Sequence, residues 1–107
     1  MNVHHYYSSG GKDYIDEYLH SLPYKERSMG DTILKKLEKE GLDALQYCNT
    51  RQLQGKLWEI KFASNRLMYV VADKDNIYIV HACKKQKGKA ELFELRKALS
   101  RVKEIEV

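Results

Sequence analysis

The sequence predicts an α+β domain: a short first strand, two helices, three antiparallel strands and a closing helix. Three observations carry that prediction. Apolar residues recur at helical spacing in three segments, they alternate at strand spacing across residues 57–83, and Pro, Gly or Asp/Asn clusters separate the segments.

Asn2–Tyr7 reads as the first strand, and Ser8-Ser-Gly-Gly11 breaks it. Tyr14, Ile15, Tyr18, Leu19 and Leu22 then mark an amphipathic helix over Asp13–Leu22, with Asp13, Asp16 and Glu17 opposing the positive end of its dipole. Pro23 fits the first turn of a second helix, Tyr24–Glu40, whose stripe is Met29, Ile33 and Leu37 and whose stop is Gly41. So tight a junction predicts antiparallel helices. Leu42–Thr50 reads as a loop with an irregular helical turn.

Leu57–Phe62 alternates, with Trp58, Ile60 and Phe62 on one face and Leu57, Glu59 and Lys61 on the other. Arg66–Ala72 and Ile77–Cys83 are rich in Val, Ile, Met and Tyr, and Asp73-Lys-Asp-Asn76 between them has turn chemistry. The three strands are expected to form a meander. Lys89–Glu106 closes the chain as a helix with Leu92, Leu95, Leu99 and Val102 on one stripe. No linker or repeat interrupts the 107 residues, so one domain is expected.

Charge is unevenly spread. Residues 1–50 hold 6 Lys/Arg against 8 Asp/Glu, whereas residues 51–107 hold 13 against 7. A basic face built by the second half suggests a polyanionic partner. No apolar run approaches the ~20 residues of a membrane span, and the N-terminus lacks the pattern of a signal peptide. The cytoplasm is the expected location, with no membrane partner. Cys48 and Cys83 lack metal-ligand spacing, and the adjacent His4 and His5 point to opposite sides of a strand as surface residues. No metal and no cofactor is expected.

Hairpin geometry asks which charges meet. An even-length loop after Phe62 sets Lys61 opposite Arg66 and Glu59 opposite Met68; an odd one sets Arg66 opposite Phe62. A four-residue loop over Asp73–Asn76 pairs Ala72 with Ile77, Met68 with His81 and Arg66 with Cys83, and sends Lys85 out on the same face. Trp58, Ile60 and Phe62 suit a core against two helices, which favours the first register. Lys61, Arg66 and Lys85 then converge, with Glu59 and His81 nearby. Like charges placed across strands are destabilising by up to ~1 kcal/mol, which suggests that the repulsion is kept for an anionic ligand. RNA carries its own nucleophile in the 2′-hydroxyl. Its cleavage needs in-line geometry, a proton acceptor and positive charge on the developing phosphorane. Lys61, Arg66 and Lys85 would supply the charge, and Glu59 or His81 the acceptor. Lys56, Lys84, Lys87 and Lys89 are candidate RNA-binding residues. Arg66 is expected on an exposed face, so that Arg66→Ala should leave the fold intact.

The order Gln52-Leu-Gln-Gly-Lys-Leu-Trp-Glu-Ile-Lys61, then Asn65-Arg66, then His81-Ala-Cys-Lys-Lys85 before a final helix resembles the RelE/HigB toxins of type II toxin–antitoxin systems, in their HigB-like, phage-derived branch. The resemblance implies a RelE-like fold and a ribosome-dependent mRNA endoribonuclease acting at the ribosomal A site. It implies inhibition by a helix-turn-helix antitoxin, and contact with operator DNA only through that antitoxin. By motif, Lys61 stands at the arginine of the family's "WE.R" element, Arg66 at the strand arginine, Lys85 at the terminal basic position and Glu59 at the motif's glutamate. The chain departs from the pattern in having Cys83 for a Phe, Lys61 for an Arg, and no Tyr or His in the closing helix. Alternatives are a gyrase-inhibiting toxin of the same fold and a non-catalytic RNA- or ribosome-binding module.

Overall fold

The computed structural model describes residues 1–105. Its elements are β1 (Asn2–His5), α1 (Tyr14–His20), α2 (Tyr24–Glu40), a 3-10 helix (Gly41–Tyr47), β2 (Asn49–Gln54), β3 (Leu57–Phe62), β4 (Asn65–Asp73), β5 (Asn76–Lys84) and α3 (Lys89–Ile105). The α+β class and the order of helices and strands follow the sequence, and the bounds of α2 and β3 are those the periodicity predicts. The closing helix is described as far as Ile105; its expected last residue, Glu106, lies outside the described residues.

The sheet is larger than a three-stranded meander. It has five strands in the order β1-β5-β4-β3-β2, with β1 parallel to β5 and the other pairs antiparallel. The expected loop Leu42–Thr50 overlaps the strand Asn49–Gln54 at its last two residues, and Asn-Thr-Arg-Gln-Leu-Gln has little apolar alternation. It forms an edge strand through its ladder with β3. His4 and His5 are half-buried rather than surface residues: His4 stacks on Tyr78 at 4.5 Å, and His5 bonds Asp13 at 2.9 Å.

Two helical layers sandwich the sheet. Ile15 and Leu19 of α1, with Leu34 and Leu37 of α2, pack on Ile60, Phe62, Leu67, Tyr69, Ile77 and Ile79. On the opposite face, Leu95, Ala98, Leu99 and Val102 of α3 pack on Leu57, Met68, Val70 and Val80. Strand alternation puts Glu59, Lys61 and Arg66 on the α3 face. Trp58, on the α1/α2 face, is partly exposed near the β2 edge.

Register decides the rest. The β3–β4 turn has two residues, Ala63 and Ser64, so Lys61 stands opposite Arg66 and Glu59 opposite Met68. Between β4 and β5, Arg66 pairs with Cys83 and Met68 with His81, while Val71 rather than Ala72 pairs with Ile77. The expected register holds at both ends and slips by one between them. One irregularity skips Ala72 and the other skips Val80, so the two cancel before the charged residues are reached.

Candidate functional site

Glu59 is the centre of the charged cluster. Its side chain is 0% exposed, yet it sits among three cations: Arg51 Nη2 at 3.3 Å, Arg66 Nη1 at 3.5 Å and Lys61 Nζ at 3.8 Å. Cross-strand pairing delivers them, since Arg51 on β2 is opposite Glu59 and Arg66 on β4 is opposite Lys61. A second carboxylate comes from the first turn of α3. Glu91 Oε1 accepts from Arg51 Nη2 and Arg66 Nη1, each at 3.1 Å. These hydrogen bonds, from Arg66 first and Arg51 second, hold the Glu91 carboxyl below its ordinary value of 4.5.

The expectation of an exposed Arg66 is therefore corrected. Its side chain is 4% exposed, because α3 lies over this face of the sheet. Arg66→Ala would remove one of three counter-charges from the buried Glu59, leaving Arg51 and Lys61, and should destabilise the fold. Two atoms here are buried without a hydrogen-bond partner among the described residues, Arg66 Nε and Glu59 Oε2. The first is a spare donor and the second a spare acceptor, at a spot that already gathers three cations.

His81 belongs to a neighbouring cluster. Its Nε2 bonds a Glu94 carboxylate oxygen, and its Nδ1 accepts from Arg101 Nη1 at 2.9 Å. Arginine can only donate, so the ring is the neutral Nε2–H tautomer. Burial is the largest influence on it and lowers its pKa from 6.5, against the opposing pull of Glu94 and assisted by Arg101 and Lys97. With both nitrogens engaged, His81 is poorly placed to take a proton from a ligand beside Glu59. Cys83, opposite Arg66, lies between the clusters. Burial and the Glu94 carboxylate push its thiol up to about 12, so it is a neutral packing group. His81, Cys83 and Glu94 offer ligand atoms all within 4.8 Å of one another. Holding a dication there would require losing the Nε2 proton beside the fixed Arg101 charge, which opposes that use.

The predicted lysines separate. Lys85 leaves β5 on the α3 side by alternation; its backbone N–H bonds Ser64 O at 2.7 Å and its side chain is exposed, with no ion pair among the described residues. It does not join Lys61 and Arg66 around Glu59. Lys84 lies on the other face, 3.7 Å from Glu26, which also accepts from Asn65 at 2.7 Å. Lys87 and Lys89 are exposed on either side of Gly88. Lys56 stands apart from these, in the β2–β3 turn at the far end of β3, roughly 17 Å from Lys61 by strand rise.

Arg51, Glu91, Glu94 and Arg101 are site residues that the sequence reading did not single out. Arg51 falls just after the expected loop Leu42–Thr50, in a polar stretch that carries no strand pattern of its own. On α3 a signal was available, since Glu91, Glu94, Ala98 and Arg101 recur at i, i+3, i+7 and i+10 beside the leucine stripe. This line, rather than Leu92, faces the sheet; Leu92 is exposed.

No helix among the described residues is long and apolar enough to cross a membrane. None of the curated proteins compared matches the chain. A family model described as "Phage derived protein Gp49-like (DUF891)" matches residues 17–103, a span that includes both clusters and all three helices at least in part. The chain belongs to this phage-derived, Gp49-like family.

Proposed function

We propose that the chain is the toxin of a type II toxin–antitoxin system, a ribosome-dependent endoribonuclease that cuts translated mRNA by metal-independent attack of the 2′-hydroxyl. The observation that carries this reading is the gathering of Arg51, Lys61 and Arg66 about Glu59, with one donor and one acceptor left over. Membership of a phage-derived family agrees with the branch to which the motifs point. In the reaction, the 2′-oxygen bonds to phosphorus as Glu59 Oε2 accepts its proton, and Lys61 and Arg66 stabilise charge on the phosphorane. The P–O5′ bond breaks to leave a 2′,3′-cyclic phosphate and a 5′-hydroxyl that takes its proton from solvent. His81 acts as a positioning residue through Glu94 and Arg101. Lys85, Lys87 and Lys89 hold the message by its phosphates. A helix-turn-helix antitoxin encoded beside the toxin restrains it, and operator DNA is met only through that partner.

The test is induction of the chain in growing cells, with 5′ ends of broken messages mapped with and without active ribosomes. Breaks confined to translated messages, and absent for Lys61→Ala, support the reading. Lys61 is the better probe because it is a quarter exposed, whereas Arg66 is built into the core. Intact messages with stalled translation would instead favour a non-catalytic ribosome-binding module, and supercoiling defects a gyrase inhibitor.

A further inference from the structure

Beside the charged cluster lies a cleft of about 400 Å³ between β2, β4 and the start of α3, with Arg51, Arg66, Met68, Gly88, Glu91 and Leu92 on its walls. Two guanidiniums from two different strands converge there on a single oxygen, Glu91 Oε1. Two guanidinium donors aimed at one anionic oxygen would serve a phosphate oxygen as they serve the carboxylate. Arg66 forms the floor at 4% exposure, and its Nε–H is buried without a hydrogen-bond partner among the described residues. Arg51 forms the rim at 48% exposure, open to a ligand arriving from solvent.

The carboxylate that fills the clamp is weakly anchored. Glu91 is 35% exposed and sits in the first turn of α3, just after Gly88, whose φ of +66° is the left-handed conformation that glycine adopts readily. The buried residues of α3, Ala98 and Arg101, lie further along the helix, while Leu92 and Phe93 near its start are exposed. The first turn is thus held on the sheet largely by ion pairs. Competition by another anion can release such a contact, whereas a packed apolar turn would resist it.

We propose that Arg51 and Arg66 form a clamp for an RNA phosphodiester, and that Glu91 is an internal carboxylate which occupies the clamp in the free protein. Seating the phosphate displaces Glu91 and lifts the first turn of α3, uncovering Glu59 and Lys61. This inference rests on the endoribonuclease reading for the identity of the anion and adds a binding residue, Arg51, and an autoinhibitory one, Glu91.

The experiment uses the full chain and a short single-stranded oligoribonucleotide carrying 2′-O-methyl groups. It binds through its phosphates and cannot be cut. Fluorescence anisotropy at fixed salt should show Glu91→Gln binding more tightly than the unaltered protein by about fivefold or more, the lower end of ordinary coupling between sites. The gain should vanish in Glu91→Gln/Arg51→Gln. Unchanged or weaker binding by a Glu91→Gln variant that melts like the parent would overturn the clamp, as would a gain that survives loss of Arg51. The unaltered protein gives a second readout: amide exchange at residues 92–95, whose N–H groups bond carbonyls of the helix start, should accelerate on saturation with the oligonucleotide. Equal or greater protection there would also overturn the proposal. Because the probe cannot be cleaved, the two readings fail separately. Tighter Glu91→Gln binding with intact cellular messages leaves the clamp and removes the nuclease, and cut messages with no Glu91 effect do the reverse.

Discussion

His81 is where a single residue has the most measurable consequence. Its Nδ1 accepts from Arg101, a buried cation that also lies 4.7 Å from the Tyr6 ring and 4.8 Å from the Tyr14 ring. Protonating Nδ1 would set two donors against each other and two positive charges side by side. A pKa below 6.5 in the folded chain means that the unfolded chain binds the proton first as pH falls. The contribution of neutral His81 is therefore complete above about pH 6.5 and is lost progressively below it. Urea unfolding midpoints should drop between about pH 7 and about pH 5.5, and His81→Gln should flatten that drop. An equal drop in His81→Gln would assign the effect to other groups. Glu91 adds a separate dependence of the same sign at lower pH, because its carboxyl titrates below 4.5 when folded.

At the scale of elements, Gly30 shows packing overriding helix propensity. It lies inside α2, where alanine would ordinarily gain ~1 kcal/mol over glycine. A Cβ built at Gly30 would stand 2.7 Å from Leu19 Cδ2 and 3.2 Å from Phe62 Cζ. Leu19 and Phe62 are both buried in the core between α1, α2 and the sheet, so neither can retreat into space. Overpacking of this kind costs about 1–3 kcal/mol, which exceeds the propensity gain. Gly30→Ala should lower the thermal midpoint, and a midpoint equal to or above the parent's would show that α1 can shift outward. The β3–β4 turn is the other element that matters for the site. Ala63 adopts φ 52°, uncommon for a residue with a side chain, and this two-residue turn sets Lys61 against Arg66.

At the scale of the whole molecule, the cations divide between a buried cluster and a free basic end. Lys85, Lys87 and Lys89 are exposed near the start of α3, whereas Lys84 is tied to Glu26 and Lys56 lies at the far end of β3. Replacing Lys85, Lys87 and Lys89 together by Gln should flatten the salt dependence of RNA binding by roughly 2, at about 0.7 per single-strand phosphate neutralised. Lys56→Gln should leave the slope unchanged. Equal flattening by Lys56→Gln would mean that RNA runs the length of β3 instead of crossing its charged end.

Much of this arrangement is legible in the sequence because it depends on local period and parity. Tyr24–Glu40 repeats its apolar residues at helical spacing between Pro23 and Gly41, and Leu57–Phe62 alternates without a break. The Lys61–Arg66 pairing needs only an even turn length, and the Arg66–Cys83 pairing survives because two register slips cancel. What the charges mean was decided by tertiary structure. Alternation places Glu59, Lys61 and Arg66 on one face without saying what covers that face. Once α3 packs there, Arg66 is core, Glu59 is its buried counter-ion and Glu91 becomes a third party to the pair. β2 was hidden for a related reason: an edge strand with polar residues is stabilised by its neighbour's ladder and carries little apolar pattern of its own. Period and parity belong to residues a few positions apart, whereas burial and ion pairing depend on contacts such as Arg51 to Glu91, 40 positions apart, which exist only after the layers have met.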